Sequence, residues 1–151
     1  MPNPAQAVIG LSFGRRSLDG PDPVNERLVR IVDTIAAKCE IPVMLQPELF
    51  ERSSTREKFV ISRGDTFRAF QYAQGAYCVL RGIKTIVIVA GSLHAPRCRK
   101  VAEGFDFEVV GEFGTSDIFD PLSEQWWTRS LWRNMPRELG ACMWYKAHGW
   151  I

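Results

Sequence analysis

The sequence predicts an α/β domain of three layers, a mainly parallel sheet of about four to five strands with helices on both faces. Three observations point there. Short apolar runs alternate with segments of helical periodicity along most of the 151 residues, the pattern of right-handed βαβ crossovers. The run Thr85-Ile86-Val87-Ile88-Val89-Ala90 is almost wholly apolar and largely β-branched, as a strand covered on both faces must be. Between these segments Gly, Pro and Asp supply the breaks. A chain of this length buries enough surface for one ordinary domain, so residues 1–151 are read as a single unit.

Residues 7–13, Ala7 to Phe13, form the first apolar run, which passes Gly14 into a turn-rich loop containing Asp19, Gly20, Pro21, Asp22 and Pro23. Asp22 suits an N-cap and Pro23 the first helical position. Val24, Leu28, Ile31, Val32, Ile35, Ala36 and Cys39 then recur on one helix face. Residues 41–45 make a second short strand, with Pro42 tolerable near its start. Residues 47–63 are polar and give only a weak signal, read as one helical turn around 55–61. A second helix starts at Asp65 or Thr66 and runs to about Leu80, stopped by Gly82. The strand at 85–90 breaks at Gly91, and Pro96 opens a third helix ending near Gly104. Residues 107–110 give a fourth strand. The tail is read as two helical pieces, 121–132 and 136–148, with Gly149 as a stop and all five tryptophans in it.

Composition excludes several classes of function. The net charge of +2 leaves no electrostatic footprint for nucleic acid. No apolar stretch approaches a membrane span, and the first residues have no signal-peptide pattern, so a soluble, cytoplasmic protein is expected. Cys39, Cys78, Cys98 and Cys142 form no CxxC pair, and no metal site is expected. Arginine outnumbers lysine 14 to 5. Its planar fork grips phosphate or carboxylate in two places, although for most of these arginines the base composition of the source genome is the favoured reading over a ligand-binding one.

In a parallel sheet ligands lie outside the carboxyl ends of the strands, so the loops at 12–21, 46–66 and 91–97 carry the functional candidates. In the first, Gly10, Gly14, Arg15 and Arg16 could let backbone amides and guanidinium groups meet an anion, though the spacing fits neither GxGxxG nor a Walker loop and a plain turn explains it as well. The third, Gly91-Ser92-Leu93-His94-Ala95-Pro96-Arg97, follows the clearest strand and opens a helix, whose free N–H groups and dipole favour an anion. Ser92 and Arg97 are candidate ligand contacts there. His94 is the candidate acid or base, against the alternative of an imidazole capping the helix. Cys98, inside that helix, is read as packing. Thr66 is either a ligand contact or part of a cap. Trp126 with Leu122, Ser130 and Arg133 has the spacing of a packed helix face.

Four segments in order resemble the bacterial YdcF-like family, which includes the SanA and ElyC envelope proteins. They are the strand and glycines of 7–14 followed by Asn25-Glu26-Arg27, the helix start Asp65-Thr66-Phe67-Arg68-Ala69, the strand and loop of 86–97 with His94 and Arg97, and the closing helix around Arg137-Glu138. The segment between the second strand and Thr66 is too short for the family's usual Ser-Gly-Gly loop, glutamate helix and extra strand, and the envelope members' membrane-spanning N-terminus is absent. The resemblance implies a Rossmann-like fold. It also implies that Gly10, Arg27, Thr66, His94, Arg97 and Glu138 are the positions to watch, with Glu138 alternatively a structural partner of Arg97 or Arg27. One branch of the family is associated with S-adenosylmethionine.

The resulting expectation is an enzyme or enzyme-like domain for a phosphate-bearing or nucleotide-like small molecule, with His94 moving a proton and Arg97, Thr66 and the 10–16 loop holding the anion. The alternative is a non-catalytic subunit that binds a nucleotide or S-adenosylmethionine and acts through a protein partner. The Trp-rich C-terminal helices are expected to form a homodimer interface.

Overall fold

The computed structural model describes residues 4–14, 21–115 and 119–151. Five strands form one parallel sheet in the order β3-β2-β1-β4-β5. They are β1 (Ala7–Gly10), β2 (Val43–Leu45), β3 (Lys58–Val60), β4 (Thr85–Gly91) and β5 (Glu108–Thr115). This is the doubly wound, Rossmann-like order, and its topological switch point falls between β1 and β4. Those two strands pair in register from Ala7 against Ile86 to Gly10 against Val89.

β1 and β4 have no exposed residue, which is why both read as unbroken apolar runs. Their side chains divide between two cores. Val8, Val87 and Val89 pack with Val24, Leu28 and Val32 of α1 (Pro23–Cys39) and with Leu49 of the short α2 (Pro47–Phe50). Ile9, Ile86 and Ile88 pack on the other face, with Ala69 and Phe70 of α3 (Thr66–Ala73) and Cys98, Val101 and Ala102 of α5 (Ala95–Gly104). α3 continues through a π-helical turn, Gln74–Cys78, into α4 (Val79–Arg81), which ends at Gly82 in the left-handed conformation. The helix α6 (Leu131–Ala147) closes the second face through Tyr145, and Trp150 stacks on Phe67 with centroids 4.4 Å apart. Among the described residues no helix is long and apolar enough to cross a membrane.

Two stretches depart from the sequence reading. In residues 47–63 the helical turn sits at α2, and 58–60 is the edge strand β3, paired parallel to β2. A three-residue strand at a sheet edge leaves no periodicity to read, and Lys58 is held there by its ammonium donating to Phe50 O and Ser53 O. In the tail, the helical piece at 121–132 is instead irregular chain with one 3-10 turn, Trp126–Arg129, up to the start of α6 at Leu131. Leu122 and Trp126 are exposed, so their helical spacing reflects no packed face. α6 then runs unbroken through Pro136, five residues past its start. The carbonyl that Pro136 cannot bond belongs to Trp132, which is 80% exposed, so water can satisfy it.

Candidate functional site

The switch point supplies the frame of a cleft. Beyond β1 the chain turns through residues 11–14, and two buried amides fix its course. Asn25 accepts from Phe13 N (2.9 Å) and donates to Gly14 O (3.2 Å) and Asp22 Oδ2 (2.7 Å). Gln46, just after β2, accepts from Ser12 N (2.9 Å) and donates to Ser62 O and Gly64 O. It thereby ties the β1 loop to the loop that enters α3. Gly14 has a φ of +78°, and a Cβ there would lie 2.8 Å from Thr128 Oγ1, so glycine is required both for the backbone and for the tail to pack over it.

α3 begins at its N-cap Asp65, which accepts from Arg68 N (2.9 Å), and this cap presents Thr66 to the loop beyond β4. There His94 precedes α5, and its Nε2 lies 2.7 Å from Thr66 Oγ1. One turn on, Arg97 donates through Nη1 to the same hydroxyl (3.2 Å). Its Nε and Nη2 pair with both oxygens of Glu138 from α6 (3.1 and 3.2 Å), and its guanidinium lies over the Tyr145 ring. Arg137 also donates to Glu138 (3.1 Å) while resting on Trp127. One carboxylate therefore serves two guanidinium groups, leaving a net positive charge beside His94.

That charge sets the imidazole's state. Burial first, then Arg97 and Arg137, hold His94 well below its ordinary pKa, so it is neutral at pH 7. Arg97 stays charged, because the bonds from Glu138 outweigh the opposing effect of burial. Since Thr66 Oγ1 accepts from Arg97, its own hydrogen is free to point at His94 Nε2. In the tautomer protonated at Nδ1, Nε2 accepts that hydrogen; in the other, Nε2 donates to the hydroxyl's second lone pair. Burial raises the Cys98 thiol, which suits packing and not a thiolate.

These groups line a cleft of about 650 Å³. Ser12, Gly14, Thr66, His94, Arg97 and Glu138 meet there, with Glu48, Arg63, Asp65, Arg68 and Arg137 around the polar wall and Trp127, Trp144, Tyr145 and Trp150 on the aromatic one. Neither curated proteins, nor solved structures, nor family models match this chain. The site is therefore read from its own chemistry. Among the described residues no group of three His, Cys, Asp or Glu side chains is placed to hold a metal ion.

The remaining candidates lie elsewhere. Gly10 is sealed in the core, where a Cβ would fall 2.5 Å from Leu45 Cδ2, so it serves packing of the sheet on α1. Ser92 is half-buried against Gly114 at β5 and is not part of the cleft wall. Arg27 is exposed on the outer side of α1, in a separate groove with Ile31, Ile35 and Phe113. That groove has comparable volume, but none of its lining residues is a buried polar group, whereas Thr66, Arg97, Asn134 and Glu138 line the cleft. Arg15 and Arg16 lie outside the described residues. Of the two arginines open to Glu138, the partner is Arg97.

Sequence reasoning missed Gln46, Glu48, Asn134 and Arg137 as site residues. Arg137 stands next to Glu138, and Gln46 directly follows a strand end, so both had a positional signal. Asn134 had none, because it enters the cleft only through the angle at which α6 docks.

Proposed function

We propose that this chain is an enzyme or enzyme-like domain that binds a phosphate-bearing or nucleotide-like small molecule at the carboxyl ends of β1 and β4. One observation carries the reading: a neutral His94, held by Thr66, beside two arginines that share a single carboxylate. The excess positive charge suits an anionic group, and the aromatic wall suits a flat one. Arg97 is too fully engaged with Glu138 and Thr66 to be the first hand on the ligand. The half-exposed Arg137 and the exposed Arg68 take that part, and Arg97 positions Thr66 and supplies field. His94 Nε2 accepts a proton from a substrate group that replaces the Thr66 hydroxyl. The resemblance of these motifs to the YdcF-like family supports the same site, and S-adenosylmethionine belongs among its candidate ligands.

The test is chemical change. Incubation with nucleotides, sugar phosphates and S-adenosylmethionine, followed by mass analysis, should show one converted compound. His94→Ala should bind that compound and leave it unconverted, and full conversion by the variant would remove His94 from the reaction. The second reading, a non-catalytic binding subunit, is favoured by the absence of a carboxylate hydrogen-bonded to His94 among the described residues. It predicts binding with no converted compound. We further propose that the exposed stripe Trp132, Met135, Leu139 and Met143 of α6 pairs with a second copy, and sedimentation as a monomer at high micromolar concentration would contradict it.

A further inference from the structure

Two polar groups in the cleft have no partner among the described residues, and their unpaired atoms are buried. Asn134, 1% exposed, makes no hydrogen bond through Oδ1 or Nδ2. Glu48 pairs with Arg63 through Oε1 (3.2 Å), but its Oε2 has no partner. Both residues line the cleft, at opposite elements: Asn134 in the second turn of α6, one turn before Glu138, and Glu48 just beyond the carboxyl end of β2. Leaving such groups unbonded is costly, and an apolar side chain would fill the place of Asn134 without that cost.

Their chemistry specifies a complement. A carboxamide offers a donor and an acceptor side by side in one plane. It is satisfied by a flat edge carrying the reverse pair, as a nucleobase does, and not by phosphate or carboxylate, which only accept. A free carboxylate oxygen beyond the second strand of a doubly wound sheet stands where ribose hydroxyls donate in nucleotide-binding domains. The half-exposed Trp127 and the exposed Trp144 supply stacking surface for a base. Sugar phosphates alone would leave both the Asn134 edge and the aromatic wall unused.

Resting on the anion-site reading above, we infer that the ligand is a ribonucleoside phosphate whose base edge is read by Asn134 and whose ribose hydroxyls are held by Glu48. The probes are adenosine monophosphate, its 2′-deoxy form, ribose 5-phosphate and inorganic phosphate, titrated by calorimetry. The unaltered protein should bind adenosine monophosphate roughly ten- to a hundredfold more tightly than ribose 5-phosphate, as expected for one bidentate base contact. Asn134→Leu should abolish that preference, leave ribose 5-phosphate binding unchanged, and raise the melting temperature of the free protein by a few degrees. The 2′-deoxy compound should bind more weakly to the unaltered protein, with the difference lost in Glu48→Gln. A base preference that survives Asn134→Leu overturns the inference, as does a lower melting temperature in that variant. Equal binding of ribo and deoxy forms by the unaltered protein overturns the Glu48 contact. If ribose 5-phosphate and phosphate bind but the base adds nothing, only the inference falls. If no compound binds, the anion-site reading falls with it.

Discussion

Two buried asparagines, one behind the β1 loop and one in the α6 wall of the cleft, are treated in opposite ways. Asn25, at the start of α1, spends both ends of its amide on the β1 loop, bonding Phe13 N, Gly14 O and Asp22. The side-chain amide of Asn134, near the start of α6, has no partner among the described residues. Both are at most 1% exposed, so burial alone does not tell a structural amide from one held in reserve. The β1 loop is a finished framework, while unused polar capacity lies in the α6 wall next to a satisfied ion pair and at Glu48 beyond β2. Removing a used group should therefore destabilise the fold, and removing the unused one should not.

The largest effect is expected at Glu138, the used group of the α6 side. Glu138→Ala leaves Arg97 buried without its bidentate partner and Arg137 without its own, and breaking such a pair costs about 3–5 kcal/mol. That corresponds to a fall in melting temperature of roughly 10 °C or more. A fall of only a degree or two would mean that α6 is docked by its apolar contacts through Tyr145 and Trp150 instead.

Next comes Asn25→Ala, which strands two backbone groups of the β1 loop and one carboxylate oxygen. A loss of about 2–3 kcal/mol is expected in urea unfolding. With the β1 loop no longer fixed, ligand affinity should fall as well. Unchanged stability here would erase the distinction between the two asparagines.

A smaller effect belongs to His94. Because burial and the two arginines hold its folded pKa below that of the unfolded chain, near 6.5, the unfolded state takes up a proton that the folded state refuses. Its contribution to stability is therefore present above about pH 6.5 and lost as pH falls below it. Thermal melts between pH 7.5 and 5 should show a steeper acid decline for the unaltered protein than for His94→Gln. Parallel profiles would mean that the imidazole is not held neutral.

The β1 framework was far more legible in the sequence than the α6 wall, for a physical reason. Asp22, Pro23 and the apolar face of α1 are local signals, written within one helix and its cap, and the β-branched run of β4 is local too. His94, Thr66 and Arg97 were legible as strand-end and helix-start residues, and the structure brings all three together with Glu138. Gly10 and Ser92 satisfied the same positional rule yet face packing, because a strand-end residue alternates between cleft and core with its register. Arg27 sat on a well-read helix, but its outward face is set by which side of α1 the sheet covers. Asn134 depends on how a helix some forty residues downstream docks over the switch point, and no local pattern encodes that, whereas Arg137 had the signal of its neighbour Glu138. The tail misled for the same reason, since Trp126 and Leu122 have helical spacing in a segment that forms only a 3-10 turn.

The central claim is that this cleft binds an anionic small molecule, and ligand-dependent thermal stabilisation tests it most directly. A ligand at a hundred times its dissociation constant adds about 2.7 kcal/mol to the folded state. For a chain of this size the melting temperature should rise by roughly 5–10 °C. Across nucleotides, S-adenosylmethionine, sugar phosphates and inorganic phosphate, at least one phosphate-bearing compound should give that rise, and Arg137→Gln should shrink it. A flat response to the whole panel, inorganic phosphate included, would contradict the account.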